Sequence, residues 1–449
     1  MMEMYFSFED YQQQKVNYLD HHSLYNTLKR EQFWELEKRQ KEQDLNVDRT
    51  LEELKKRTTE EYYRKVETSQ TYALTFARKV FPSYKFIMPD ALTDDWLSTM
   101  DWHKKYQTRD HSLHQTLTAY IVSKMLGNGD PAKGLMLSKD ESLLSRCATL
   151  LSVGGKTAYL RNYLQSIDQD YSNHVGDYGY DWAVEVFYET AMLAAQFHDM
   201  GYPWQFINTL AKELTTASYE KISGMLIDEE STYNYIKDRL LIYPFFGYQE
   251  SDVKGKLQDK TDYAKALLKK GVLRTHGLPG ALGFLCLNDT IRAHGATNDK
   301  DEATNKLILD WAAVAIMMHD MPGLYWGDGK TTGTPDATIL KLDFETDPLS
   351  CIVSIADILE EFERPKATFP PKEKDNFVKV GYEFECKGSG IEFDGGHLRI
   401  KYFYGTEEER INNATRRKEE VIEYLNLKTG YIDLSSWGVV DVAGIAEVK

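Results

Sequence analysis

Residues 182–204 read WAVEVFYETAMLAAQFHDMGYPW. The run up to Phe197 is apolar at helical spacing, and Gly201 and Pro203 close it. At its end stand His198 and Asp199, side by side. Burying an imidazole or a carboxylate in such a face is costly unless the group is paired or bound to metal. The stretch therefore reads as a buried helix whose last turn presents two polar donors to a common cavity.

Outward from it the same pattern repeats. LHQTLTAYIVSKMLG (113–127), LPGALGFLCL (278–287), ILDWAAVAIMMHD (308–320) and LSCIVSIADILEEFERP (349–365) are further apolar helical runs between Gly/Pro loops. No strand–helix alternation accompanies them, so residues 91–372 are expected to form a mainly α, helical-bundle core. Polar interruptions near 211–262 and 321–347 read as insertions or lids on that core. Residues 1–90 read as a charged helical region, carried by NTLKREQFWELEKRQKEQ and LEELKKRTTEEYYRKVE. That region is expected to be a solvated helical layer, with a homo-oligomerisation arm or a cap over the site as the alternatives. After FPPKEK (369–374), three Gly-bounded alternating segments flank the charged helix EEERINNATRRKEEVIEYL, which predicts a small α+β appendage over 373–449.

Composition narrows the classes of function. The 449 residues carry 70 acidic and 54 basic side chains, a net charge of −16, which disfavours binding to duplex nucleic acid. A small phosphorylated substrate stays compatible, because a metal ion supplies positive charge locally. No uncharged apolar run reaches membrane-spanning length, and the first residues lack the pattern of a signal peptide. Cys147, Cys286, Cys351 and Cys386 are widely spaced, so neither a disulfide framework nor a cysteine zinc site is expected. A cytoplasmic location is the expectation.

Among only 11 histidines, several recur beside Asp or Gly in these apolar helices. RDHSLHQTLTAYIV offers His111 and His114, RTHGLPGALGFL offers His276, AVAIMMHDMPG offers His319, and IVSIADILEEFERP offers Asp357. Any one of them is most simply a satisfied core residue, but the ordered set with His198 and Asp199 is not. Four imidazoles and two carboxylates suit Mn, Fe, Co, Ni or Zn, one or two ions per chain, better than Mg. His114 shares the inward face of its helix with Leu117, Thr118, Ile121, Val122 and Met125, which favours it over His111 as the first donor.

The order His…His-Asp…His…His…Asp, with the phrases HDMGYP and ADILEEFERP, resembles the HD-domain metal-dependent phosphohydrolase superfamily over about residues 100–366. The resemblance implies that His114, His198, Asp199 and Asp357 hold one metal. It implies that Asp199, His276 and His319 hold a second, with Asp199 bridging. Similarity to the HNxxH phrase of cyclic-nucleotide phosphodiesterases makes His111 the candidate general acid, and Asp199 takes part in catalysis through the bridge. Arg109, Arg274 and Arg364 flank the motifs and are candidates, with Tyr202, for binding a substrate phosphate or nucleotide. The expected activity is hydrolysis of a nucleotide or other small phosphate ester by metal-activated water.

Two branches are disfavoured by single positions. Cyclic-dinucleotide phosphodiesterases carry Lys where Tyr202 follows Gly201, and a double His where Met318 precedes His319. A di-iron oxygenase of the myo-inositol oxygenase type shares the ligand order and is the first alternative, although its substrate Lys is likewise replaced by Tyr202. A metal-stabilised, non-enzymatic signalling module is the second. GGKT (154–157) and GDGKTT (327–332) are not phosphate loops, since the required opening Gly falls on Leu150 and Leu324.

Overall fold

A computed structural model describes residues 2–7, 10–11, 111–201, 229–239, 275–292, 300–320, 342–362, 386–427 and 430–449. The described chain is mainly helical, with one four-stranded sheet and one two-stranded ladder. The longer helices before the C-terminal strands are α1 (His111–Met125), α2 (Leu143–Val153), α3 (Ala158–Ile167), α4 (Tyr180–Phe197), α5 (Glu229–Ile236), α6 (Gly277–Arg292), α7 (Lys300–Met318) and α8 (Pro348–Leu359).

Helix α4 lies at the centre and packs against α1, α2, α7 and α8. Its second half, Thr190 through Phe197, is buried without interruption. An apolar face that wraps the whole cylinder needs neighbours on every side, and four helices supply them. Phe187 meets the buried Trp311 of α7 edge-on, with ring centroids 5.5 Å apart. Each such large side chain contributes about 1.5–3 kcal/mol by burial. Helix α8 begins where Asp347 accepts the Ser350 N–H at 3.1 Å and Pro348 takes the first turn, where it costs no hydrogen bond. It ends at Glu360, whose backbone is extended.

Close backbone approach draws the polar helix ends together. A Cβ at Gly201 would fall 1.8 Å from the carbonyl oxygen of His276, so only glycine lets the turn after α4 lie on the start of α6. At Gly277 a Cβ would meet the carbonyls of Ile316 and Met317 at 2.8 Å, which seats α6 on the end of α7 in the same way.

The sheet has the order β1-β3-β4-β6, from β1 (Met2–Phe6), β3 (Cys386–Asp394), β4 (His397–Tyr404) and β6 (Asp441–Val448). β1 and β4 run antiparallel to β3, while β6 runs parallel to β4 after the crossover helix α9 (Glu407–Leu425). A short parallel ladder of β2 (Leu342–Asp343) and β5 (Ile432–Asp433) joins this C-terminal unit to the start of α8.

Two sequence expectations need correction. The charged helical region drawn over 1–90 does not begin as helix, because Met2–Phe6 is a strand whose Met4 and Phe6 are buried while Glu3 faces out. Its partner β3 lies almost the whole chain away, so no local pattern announced the pairing. The interruption drawn over 321–347 ends inside the fold, since Leu342–Asp347 supplies β2 and the N-cap of α8. The described part of the 211–262 interruption, residues 229–239, is an insertion anchored to the core. Arg239 meets the buried Asp310 of α7 at 3.1 Å, and Tyr235 donates to Asp289 of α6 at 2.6 Å. Apart from residues 2–7 and 10–11, the stretch 1–90, with the expected oligomerisation helices, lies outside the described residues. Among the described residues no helix is long and apolar enough to cross a membrane.

Candidate metal centre

Four imidazoles and two carboxylates meet where the ends of α4, α7 and α8 converge on α1 and the start of α6. His114 comes from the first turns of α1, His198 and Asp199 from the turn closing α4, and His276 from the residue before α6. His319 follows α7 directly, and Asp357 sits in the last turn of α8. His114, His198, Asp199, His276 and His319 are all buried, each less than a tenth exposed. Asp357 is a quarter exposed at its side chain and so faces the opening of the cluster.

Asp199 is the hub. Its Oδ1 lies 3.0 Å from His276 Nε2, 3.4 Å from His198 Nε2 and 3.5 Å from His319 Nε2. Its Oδ2 lies 3.4 Å from His114 Nε2. Asp357 Oδ1 closes the other side, 2.9 Å from His114 Nε2 and 3.6 Å from His198 Nε2. Two overlapping donor groups result, His114–His198–Asp357 and His198–Asp199–His319.

The outward nitrogens fix the tautomers. His198 Nδ1 donates to the Ala195 carbonyl at 2.7 Å and His319 Nδ1 to the Ile316 carbonyl at 2.6 Å. A carbonyl oxygen only accepts, so both hydrogens sit on Nδ1. His114 Nδ1 donates to the buried Glu360 carboxylate. His276 Nδ1 lies 2.9 Å from Asp320 Oδ2, the oxygen that also takes the backbone N–H of His276 at 2.7 Å. All four rings therefore turn Nε2 inward. Yet His198 and His114 bring their Nε2 atoms to 3.1 Å, and His276 and His319 to 3.0 Å. Two neutral rings with hydrogen on Nδ1 would oppose lone pairs at that distance, so each pair calls for a shared positive charge, a proton or a metal ion. The donor set, nitrogen and carboxylate oxygen with each ring braced from behind, fits a transition-metal ion.

The electrostatics agree. Burial pushes the Asp357 carboxyl upward, but His114 and His198 outweigh it and hold the group well below the usual range. Asp320 is lowered against burial by the charge and hydrogen bonds of His276. Burial alone would lower His276; Asp320 and Asp199 overcome it and raise the ring to about 10. The carboxylates of Asp320 and Asp199 thus favour positive charge at His276.

His111 opens α1 through its backbone, and its side chain is outside the described set. Arg109, Tyr202, Arg274 and Arg364 also lie outside the described residues. Glu360 and Asp320 were not singled out from the sequence. Asp320 follows His319 as a second His-Asp pair, so its position could have flagged it, whereas Glu360 carried no such signal. Lys156 of the GGKT loop reaches Asp343 at 2.7 Å and Glu345 at 3.6 Å, so its ammonium is engaged by carboxylates. Among known proteins, no family model, no curated protein and no solved structure matches the chain.

Proposed function

We propose that the protein is a metal-dependent phosphohydrolase with an HD-type arrangement, acting on a nucleotide or similar small phosphate ester. The observation that carries this reading is the set of four inward Nε2 atoms gathered around Asp199, in the order along the chain that resembles the HD superfamily. His114, His198, Asp199 and Asp357 would hold one ion; Asp199, His276 and His319 would hold a second. Such an ion supplies Lewis acidity toward a phosphoryl oxygen and toward the attacking water.

The chain's own residues do the rest. Asp199 turns Oδ1 toward His198, His276 and His319 and Oδ2 toward His114, so its carboxylate reaches both groups. Glu360 and the Ala195 and Ile316 carbonyls hold the rings so that no lone pair must reorient when substrate arrives. Asp357, the one partly exposed member, marks the side on which a substrate enters. His111, one helical turn before His114, is the proposed proton donor to the leaving oxygen.

The test is elemental analysis of protein purified without chelator, followed by phosphate release from mono-, tri- and cyclic nucleotides with and without oxygen. One to two transition-metal ions per chain, and release restored by Mn, Co or Ni in the absence of oxygen, are expected. Iron-dependent oxygen uptake with no phosphate released from any nucleotide would replace the hydrolase by an oxygenase.

A further inference from the structure

The C-terminal unit touches the helical core next to the metal-cluster residues. Tyr431 donates its hydroxyl to the Met318 carbonyl at 2.7 Å, one residue before His319. Tyr402 of β4 donates to the Ile358 carbonyl at 2.8 Å, one residue after Asp357. Arg417 of α9 pairs with Glu361, the neighbour of the Glu360 that braces His114. Both tyrosines are buried, at 0% and 5% exposure.

The position of these bonds matters more than their number. The last carbonyls of a helix have no partner within it, so its final turn is the part that shifts most easily. Met318 ends α7 and Ile358 lies in the last turn of α8. A hydroxyl donated from a second structural unit fixes each of these turns. The tyrosines are themselves firmly placed. The Tyr431 carbonyl accepts Leu342 N–H at 2.8 Å in the β2–β5 ladder, and Tyr402 pairs with Ser389 in the middle of the sheet. His319 to Asp199 at 3.5 Å and Asp357 to His198 at 3.6 Å, the contacts made by the two residues beside these carbonyls, are the longest of the six described above.

We propose that Tyr431 and Tyr402 are positioning residues for the metal centre, through which the C-terminal sheet sets the reach of His319 and Asp357. The inference rests on the cluster being a metal centre. Tyr163 supplies a control, since its buried hydroxyl also bonds to α7, but at Asp310, more than two turns before His319.

The experiment is a Co(II) titration of the metal-stripped full-length protein, read by chelator competition and by the visible ligand-field spectrum, with thermal unfolding of each apo-protein alongside. Tyr431→Phe and Tyr402→Phe are expected to bind Co(II) about tenfold more weakly with an altered spectrum. Tyr163→Phe is expected to lose thermal stability and keep wild-type affinity and spectrum. Wild-type affinity and spectrum in both folded Phe variants would overturn the positioning role and leave the metal centre standing. So would equal weakening in Tyr163→Phe, which would mark a general loss of stability. No Co(II) uptake by the wild type would overturn the metal centre and the positioning role together.

Discussion

Glu360 accepts the Nδ1 hydrogen of His114 from a position 246 residues away in sequence, with both groups buried. The carboxylate turns the ring so that Nε2 faces Asp357 and Asp199. Replacing it by Gln keeps an acceptor and removes the charge that raises the ring's basicity. Glu360→Gln should weaken metal binding about tenfold, and Glu360→Ala more, by competition with a chromogenic chelator. Unchanged affinity in both would mean that His114 is oriented without its carboxylate.

Asp199 faces all four Nε2 atoms, so its loss should damage both halves of the cluster at once. Asp199→Ala should lower metal affinity by roughly 100-fold or more, beyond what an outer partner costs. His114→Ala should also lose metal, whereas His111→Ala should retain it and lose turnover. Metal content following His111 instead would move the first ligand by one helical turn.

Gly201 cannot accept a side chain where it lies. The added methyl of Gly201→Ala would sit 1.8 Å from the His276 carbonyl, so the turn carrying Asp199 must move away from α6. A cost of about 3 kcal/mol or more is expected in urea unfolding, with reduced metal content. A variant as stable and as metal-loaded as the wild type would show that this contact does not hold the turn.

Asp347 gives a pH dependence remote from the cluster. Burial raises its carboxyl to about 6 against the pull of Ser350, whose N–H it accepts. A raised folded value means that the fold prefers the protonated form. That contribution is complete below about pH 4, where the unfolded group is also protonated, and is lost as pH rises through about 6. Asp347→Asn keeps an acceptor for Ser350 N–H and removes the charge. It should be more stable than wild type at pH 8 by up to about 3 kcal/mol, and the difference should shrink toward pH 5. Equal stability at both pH values would contradict it.

What was legible in the sequence follows from how local each signal is. Six polar residues in apolar helices stood out because each is costly to bury alone, and the structure gathers all six. The charged helix after Thr406 was legible from its own periodicity and is α9. Glu360 was not, because EE after an apolar run reads as a solvated helix end until the fold places His114 beside it. The carbonyls of Ala195 and Ile316 carry no side-chain signature at all. Strand β1 was missed for the reason most edge strands are: five residues reveal little until their partner is known.

The pairing of β1 with β3 also bears on how the chain reaches this state. Met2 lies opposite Phe393, so closing that pair draws together segments with nearly all of the polypeptide between them. The entropy of such a closure is recovered only when the intervening helices and β3–β4 are already in place. Amides of Met2–Phe6 should therefore gain protection from hydrogen exchange later in refolding than those of Leu398–Tyr404, and pulse labelling would resolve the order. Protection of the first strand before β4 would place its docking early. With late docking, a partly synthesised chain carries an edge-strand segment that has no template until β3 emerges, a window in which pairing between nascent chains competes with the native sheet.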